Sequence, residues 1–232
     1  MGEIEKEGIA TDIREVIDIF LKTKDSFSVY ERFFSDEIEY KKHRVLDVGL
    51  GIGTYIKALS DRGVNNVFGF DIVYELVEVA KKRFGIRNVI TSNALRIPFK
   101  DNVFDAVLCY NLIEHVSLPD SVISEVYRVL RDGGKLYIDF PNANSLGDIA
   151  FRWGGIVLRG RTSHIQKFTK KRAIKLLESN GFKINRTKEL RGFTFGFPVL
   201  NRIWFTRKLQ EVLTYLVRNA ISGWEIEAEK CI

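Results

Sequence analysis

Residues 45–54 read VLDVGLGIGT, an apolar run that stops in three glycines at alternate positions. The run predicts a buried strand of a parallel sheet, and apolar residues recur at helical spacing just after Thr54. Glycine adopts positive φ and leaves room for a ligand against the backbone. The first turn of a helix offers unpaired N–H groups to an anionic or carboxylate-bearing ligand. This stretch therefore predicts a strand, a ligand-binding turn and a helix, in that order.

The spacing of the glycines narrows the class of ligand. A dinucleotide fingerprint, G-x-G-x-x-G, would place its third glycine at position 54, where the chain has Thr54. No Gly-Lys-Ser/Thr follows, so the turn is not a P-loop. The pattern that is present, Asp47-x-Gly49-x-Gly51-x-Gly53, resembles the first motif of class I S-adenosylmethionine-dependent methyltransferases. A glycine-rich turn of another α/β protein is the alternative that this motif leaves open by itself.

Two later stretches extend the resemblance along the chain. Residues 104–116 read FDAVLCYNLIEHV, and residues 125–142 read EVYRVLRDGGKLYIDFPN, with the fifth strand expected to begin at Leu136. Their order of strand, helix, Gly-Gly turn and strand closely resembles the second half of a methyltransferase domain of the same family. With the glycine turn, the resemblance covers residues 43–190. It implies an α/β, Rossmann-like fold, in which a seven-stranded, mostly parallel sheet of order 3-2-1-4-5-7-6 carries helices on both faces.

A single methyltransferase domain is expected to span residues 1–232. Residues 1–42 are expected to form an N-terminal helical cover, and residues 43–190 the cofactor-binding core. Residues 191–232 are expected to supply a C-terminal helix and the last strand. Gly223 is predicted to separate that helix from that strand, because glycine interrupts helices.

The resemblance implies S-adenosyl-L-methionine as the cofactor and assigns its binding to residues at the carboxyl ends of the strands. These residues are Asp47, Gly49, Gly51, Gly53, Asp71, Asn93, Ala94 and Asn111. Asp71 ends the second strand, where a carboxylate can accept hydrogen bonds from ribose hydroxyls; capping the helix that follows is its other possible role. Asn93 stands where this family usually has an acid near the adenine amino group. An amide can still pair with an adenine edge, and forming a turn is the alternative.

Three histidines are available for proton transfer. An oxygen acceptor usually has to lose a proton, and the pKa of histidine lies near the working pH of most enzymes. His115 follows the fourth strand, and His164 lies in the loop expected to cap the pocket, so these two are the candidate catalytic residues. His43 precedes the first strand and is expected at the wrong edge of the sheet. A structural role at a helix start is the alternative for His115.

A narrower resemblance concerns the O-methyltransferases of ubiquinone biosynthesis. It rests on Glu114-His115, on HIQKF at residues 164–168 and on Gly181-Phe182. A Glu-x-x-Glu-His stretch has been linked to a divalent cation in that family. Here Asn111 stands at the position of the first Glu, and a neutral ligand weakens a Mg²⁺ site, so we predict no metal. The Asn/Asp-Pro-Pro-aromatic motif is absent after the fourth strand, which counts against amino methylation of DNA bases.

The composition predicts a cytoplasmic protein. No apolar run approaches the roughly 20 residues of a membrane span, and the charged N-terminus lacks the apolar core of a signal peptide. Cys109 and Cys231 form no CxxC, which argues against a disulfide scaffold or a zinc cluster. Lys, Arg, Glu and Ile are abundant while Gln166 and Gln210 are the only glutamines, a bias that hints at a thermophile.

Positive charge is concentrated in the last third of the chain. Residues 150–218 hold 16 of the 36 Lys and Arg residues but 3 of the 30 acids, a net charge of +13, which leaves −7 for the remainder. This basic segment is also rich in Phe and Trp and contains GFTFGFPVL at residues 192–200. Apolar residues beside cations suit an amphipathic acceptor at an anionic membrane surface.

We therefore predict methyl transfer to a small or lipid-like acceptor, at oxygen or carbon, with possible peripheral membrane contact. The alternative is an RNA-directed or RNA-associated S-adenosylmethionine-binding protein, whose basic segment tracks phosphates and stacks on bases. A solvated basic face with no partner is a third interpretation. Leucine, valine and isoleucine add nothing to base stacking, which favours the amphipathic acceptor over nucleic acid.

Overall fold

The computed structural model describes residues 42–142, 165–191 and 221–231. Predictions for residues 1–41, 143–164 and 192–220, including His164, lie outside them. The elements in chain order are β1 (Arg44–Val48), α1 (Thr54–Asp61), β2 (Asn66–Asp71), α2 (Tyr74–Phe84), β3 (Val89–Thr91), β4 (Phe104–Cys109), a 3₁₀ turn (Ile113–His115), α3 (Pro119–Val129), β5 (Leu130–Pro141), α4 (Lys170–Ser179), β6 (Phe182–Arg191) and β7 (Ile221–Lys230).

The seven strands form one sheet of order β3-β2-β1-β4-β5-β7-β6, which confirms the predicted topology. β1 pairs in parallel with both β2 and β4, so the direction of winding reverses beside β1. β4 is parallel to β5, whereas β7 is antiparallel to both β5 and β6. Ligands of open α/β sheets bind at the carboxyl ends of the strands where the order reverses. The functional site is therefore expected above β1 and β4.

The sheet is buried on both faces, which explains why β1 is apolar almost throughout. Val45 packs into a cluster with residues of α1 and α2, such as Ile56 and Val77. Leu46, its neighbour in the chain, packs into the opposite cluster with residues of α3 and α4, such as Val126. Alternate residues of one strand thus serve two cores. Within the described ranges, no helix has the length and hydropathy needed to cross a bilayer.

β5 begins earlier than expected. The strand was expected from Leu136, but Leu130 already pairs with Phe104. The register then shifts, and regular pairing resumes between Lys135 and Ala106. The Gly-Gly turn is therefore an irregularity inside the strand, where β5 advances five residues while β4 advances two.

The prediction that Gly223 separates a helix from the last strand is wrong. Gly223 lies inside β7, opposite Pro141 of β5. A Cβ at this position would lie 2.6 Å from the carbonyl oxygen of Phe140. Glycine is required here because two backbones approach closely, and β7 can begin at Ile221 rather than Trp224.

Candidate functional site

Three glycines shape the turn after β1. Gly49, Gly51 and Gly53 have φ of 77°, 55° and 83°, a region that other residues enter only at a cost. The N–H of Gly49 donates to the carbonyl oxygen of Phe70 at 3.0 Å, which fixes the turn to the end of β2. A Cβ at Gly53 would lie 2.8 Å from Ile86 Cδ1, whereas one at Gly51 meets no atom of the described residues within 4 Å. Gly53 is therefore needed for packing, while Gly51 borders open space that a ligand can fill.

The carboxylate of Asp71 ties this turn to β2. Its Oδ2 accepts from the N–H of Gly51 at 2.9 Å, and its Oδ1 accepts from the N–H of Val73 at 2.9 Å. Burial raises the pKa of Asp71, while bonds from backbone N–H groups oppose that rise. Asp71 is not the N-cap of α2, because that position is occupied by Val73. Each carboxylate oxygen can accept a second bond, so Asp71 can still bind hydroxyl groups of a ligand.

Ile72 is a further candidate binding residue beside Asp71, and none of the sequence motifs includes it. Its side chain is apolar yet 54% exposed, and it directly follows Asp71 at the end of β2. The signal was present in the sequence as an apolar residue between a strand-end carboxylate and a helix. An exposed aliphatic side chain here can cover one face of a flat ligand ring.

Asn93 makes a turn in the loop after β3. Its Oδ1 accepts from the N–H of Leu95 at 2.9 Å, and its carbonyl oxygen accepts from the N–H of Arg96 at 3.1 Å. The side chain therefore has the turn-forming role that was the alternative to adenine binding. The two roles are compatible, because the amide nitrogen of Asn93 is also a donor. Ala94 packs partly buried against the core.

Buried polar groups occupy the same edge of the sheet, and no local sequence pattern predicts them. Asp139 of β5 lies directly opposite Glu225 of β7. The hydroxyl of Tyr110 donates to Glu225 Oε1 at 2.9 Å, and the N–H of Asn111 donates to Asp139 Oδ1 at 2.7 Å. Asn111 makes this bond from the left-handed region, with φ of 50°. Residues from three strands thus form one polar row at the carboxyl edge.

Besides Asp71, burial raises the pKa of four further carboxyl groups at this edge. The pKa of Asp47 rises to about 8, and the negative charge of Asp71 adds to the effect. Asp139 also reaches about 8, through burial and then the charge of Glu114, and burial brings Glu114 and Glu225 to a pKa of about 7. Proximity of like charges and loss of solvent both disfavour the ionised form. This edge therefore favours a ligand that carries positive charge.

The described residues fit S-adenosylmethionine on these grounds. Asp47 Oδ2 and Glu225 Oε2 are buried without a hydrogen-bond partner among the described residues, and a buried acceptor without a partner is costly. The ammonium and sulfonium groups of the cofactor are cations that can compensate for buried carboxylates. The carboxylate of Asp71 could accept hydrogen bonds from ribose hydroxyls, and the open side of Gly51 leaves space for the ring.

His115 ends the 3₁₀ turn that follows β4. Its Nε2 lies 3.8 Å from Glu114 Oε1, and its side chain is 33% exposed, so a bound acceptor can reach the imidazole. The N–H of Ile165 donates to the carbonyl oxygen of Glu114 at 2.9 Å, so the chain just after His164 is bonded beside His115. His43 directly precedes β1, at the amino end of that strand and away from this edge.

In the described ranges, no group of three or more His, Cys, Asp and Glu side chains has the arrangement needed to hold a metal ion. Cys109 is buried in β4, and burial together with the nearby carboxylates raises the pKa of its thiol far above the usual range. A thiol held in its neutral form is a poor nucleophile, so Cys109 is a packing residue here.

We expect the raised pKa of Asp47 to make stability fall as pH rises. The folded pKa of about 8 exceeds the ordinary value of 3.8, so between these values the folded protein binds more protons than the unfolded chain. The stabilisation is complete below about pH 4 and is lost above about pH 8, with a slope of at most about 1.4 kcal/mol per pH unit. Asp47→Asn should flatten the decline in the free energy of unfolding between pH 5 and 8, measured with urea. The exposed Asp61→Asn serves as the control, and an unchanged slope in Asp47→Asn would refute the assignment.

Comparison with known proteins agrees with this geometry. Residues 46–138 match a family model described as a methyltransferase domain. The chain is 36% identical to a demethylmenaquinone methyltransferase of Renibacterium salmoninarum over 41% of this chain and 40% of that protein. It is 32% identical to 24-methylenesterol C-methyltransferase 2 of Arabidopsis thaliana over 50% of this chain and 34% of that protein. The chain spans less than two thirds of the length of the curated relatives that it matches most strongly.

Solved structures show the same fold. An S-adenosylmethionine-dependent methyltransferase of Methanosarcina mazei superposes with a TM-score of 0.60 at 23% identity, covering 84% of this chain and 96% of that one. This likeness shows the fold; the glycine motif and the methyltransferase-domain match are what make S-adenosylmethionine the expected cofactor. The glycine turn, the sheet order and the matched residues agree: residues 46–138 are similar to the methyltransferase domain family, and the sheet has the order expected of its class I members.

Proposed function

We propose that this protein transfers the methyl group of S-adenosylmethionine to a small or lipid-like acceptor, at oxygen or at carbon. The observation that carries the proposal is the bonding of one buried carboxylate, Asp71, to both Gly51 and Val73. A carboxylate that can accept hydrogen bonds from hydroxyl groups therefore lies beside the open glycine turn, at the point where the strand order reverses. Such an arrangement suits a nucleoside whose ribose rests on Asp71 and whose charged tail reaches the buried acids.

The cofactor supplies a methyl group that is activated by its sulfonium. The chain therefore has to hold both reactants in line and keep water out. With the cofactor bound, Asp71 would accept hydrogen bonds from the ribose hydroxyls, and Asp47 and Glu225 would balance the positive charges of the ammonium and sulfonium groups. His115 takes the proton from an acceptor hydroxyl, or from a carbon acid where carbon is methylated. His164 is a second candidate for the same step.

Two observations favour an apolar acceptor. The relatives named above are, by name, methyltransferases of demethylmenaquinone and of 24-methylenesterol. In this chain, Leu118 and Ile165 are 54% and 59% exposed, on the two segments that continue from His115 and His164. Aliphatic side chains left in solvent beside a site suit an acceptor with an apolar body.

The positive charge of the basic segment favours an acceptor that is held in an anionic surface. α4 begins with Lys170, Lys171 and Arg172 and has no acid in its first turn. Cations at a helix N-terminus oppose the helix dipole and cost stability. A local cost of this kind is expected where the charges serve another purpose, and anionic lipid headgroups attract basic segments. The partner that we propose is therefore a membrane surface that holds the acceptor.

Vesicle experiments test acceptor and surface together. The protein is incubated with methyl-labelled S-adenosylmethionine and anionic vesicles that carry a demethylated quinol or a sterol. We expect label in the organic extract and co-sedimentation that weakens as salt rises, because exposed charges are screened. Leu118→Ser with Ile165→Ser should reduce both signals. Ile90→Ser, at an aliphatic side chain that is 43% exposed on the edge strand β3, is a control for loss of an exposed apolar group elsewhere.

Neutral vesicles provide the control for charge. Label that appears only in added RNA, with no organic label and no sedimentation, would contradict the lipid-like acceptor and favour the RNA-associated alternative. If the acceptor is methylated equally well in neutral and in anionic vesicles, the anionic surface is not needed, and the proposal keeps the lipid-like acceptor alone.

A further inference from the structure

The loop between β3 and β4 carries one side of the proposed cofactor pocket. Its first residue, Ser92, donates its N–H to the carbonyl oxygen of Asp71 at 2.9 Å. Two successive turns at Asn93, closed by the N–H groups of Leu95 and Arg96, connect this start to Ile97. Residues 92–97 therefore form a short rigid run, and whatever holds Ile97 also holds Asn93.

A single guanidinium in α3 holds the far half of the loop. Arg128 Nη1 donates to Phe99 O at 2.9 Å and to Asp101 Oδ1 at 2.7 Å. Its Nη2 donates to Ile97 O at 2.9 Å and to Glu125 Oε2 at 2.8 Å, and its Nε donates to Glu125 Oε1 at 2.7 Å. A guanidinium has five N–H donors, and all five are engaged here.

Glu125 completes the attachment. Its Oε2 accepts from the N–H of Ile97 at 2.7 Å, so both backbone groups of Ile97 are bonded to α3. The hydrogen bond from Arg128 lowers the pKa of Glu125, which keeps the pair ionised. The side chain of Ile97 is 2% exposed and packs in the core on the α3 side of the sheet. The charged pair and the packing of Ile97 thus both attach the loop to the α3 side of the sheet.

We propose that Arg128 and Glu125 are positioning residues that preset the adenine side of the cofactor pocket. They act through Ile97 on Asn93 and Ala94 and do not touch the ligand. Pre-organised loops bind more tightly because less freedom is lost on binding. This inference rests on the proposed function, since it assigns the loop to adenine.

Arg128→Lys is the test variant, because lysine keeps the charge but cannot supply a planar fork of donors. Binding of S-adenosylhomocysteine and of S-inosylhomocysteine, which replaces the adenine amino group by an oxygen, is measured by calorimetry. We expect the wild type to prefer the adenine ligand. In the variant, affinity for the adenine ligand should fall about tenfold, and the preference should fall with it. Hydrogen exchange at the amide of Ile97 should become faster.

The matched control is Arg131→Lys. Arg131 pairs with Asp105 at 2.6 Å, near the amino end of β4 and away from the pocket, so both affinities should stay unchanged. If Arg128→Lys does not fold, Glu125→Gln replaces it, because glutamine still accepts from Ile97 but loses the charge.

The outcomes separate the two claims. A merely structural role would lower the melting temperature but leave the preference for adenine intact in the folded protein, and that result would overturn the inference alone. A wild type that binds neither ligand would overturn the proposed function as well. Loss of preference together with faster exchange at Ile97 would support the positioning role.

Discussion

Asp71→Ala should weaken the binding of S-adenosylhomocysteine by about 100-fold or more. Two charge-assisted hydrogen bonds to ribose hydroxyls are lost, each contributing about 1.5–3 kcal/mol. The glycine turn also loses its bond from Gly51 to Asp71 Oδ2. Titration calorimetry measures the effect, and thermal unfolding checks that the variant is folded.

The matched control for this change is Asp105→Ala. Asp105 also accepts from a backbone N–H, that of Arg44 at 2.7 Å, but it lies at the opposite end of the strands. Its replacement should leave the affinity unchanged. Unaltered affinity in Asp71→Ala would remove the ribose role from this carboxylate.

His115→Ala should lower turnover by about 100-fold, the usual contribution of a general base. Affinity for S-adenosylhomocysteine should be retained, because His115 belongs to the acceptor side of the site. Single-turnover transfer of a labelled methyl group measures the chemical step apart from product release.

His43→Ala is the control for loss of a histidine at the other edge of the sheet. If the turnover of His115→Ala stays within a few-fold of the wild type, His115 is not the base and has a structural role. The proton would then be taken by His164, or the acceptor would ionise without help.

Much of the fold is readable from the sequence because its signals are local. The run from Val45 to Gly53 contains the strand and the turn within ten residues. The spacing of its glycines excludes the dinucleotide fingerprint, and the missing Gly-Lys-Ser/Thr excludes a P-loop. Positive φ at all three glycines is the conformation that this spacing anticipates. Asp71 stands out as a candidate for a related reason, since an acid that ends the next predicted strand, 18 positions after Gly53, is visible in the sequence.

Other features depend on contacts that are distant in the sequence. The pairing of Asp139 with Glu225 follows from the register of β5 and β7, which no local pattern specifies. The contact of Gly223 with the backbone of Phe140 is visible only once both strands are placed, so the sequence indicates a helix boundary there instead. No sequence pattern singles out Arg128, because its bonds to Ile97 and Phe99 depend on how the loop folds back.

The claim that this domain binds S-adenosylmethionine is tested most directly by titrating the wild-type protein with S-adenosylhomocysteine and, separately, with NAD. We expect one saturable site for S-adenosylhomocysteine and no measurable binding of NAD, because Thr54 stands where a dinucleotide fingerprint has glycine. Tight binding of NAD, or a flat titration with S-adenosylhomocysteine by folded protein, would contradict it.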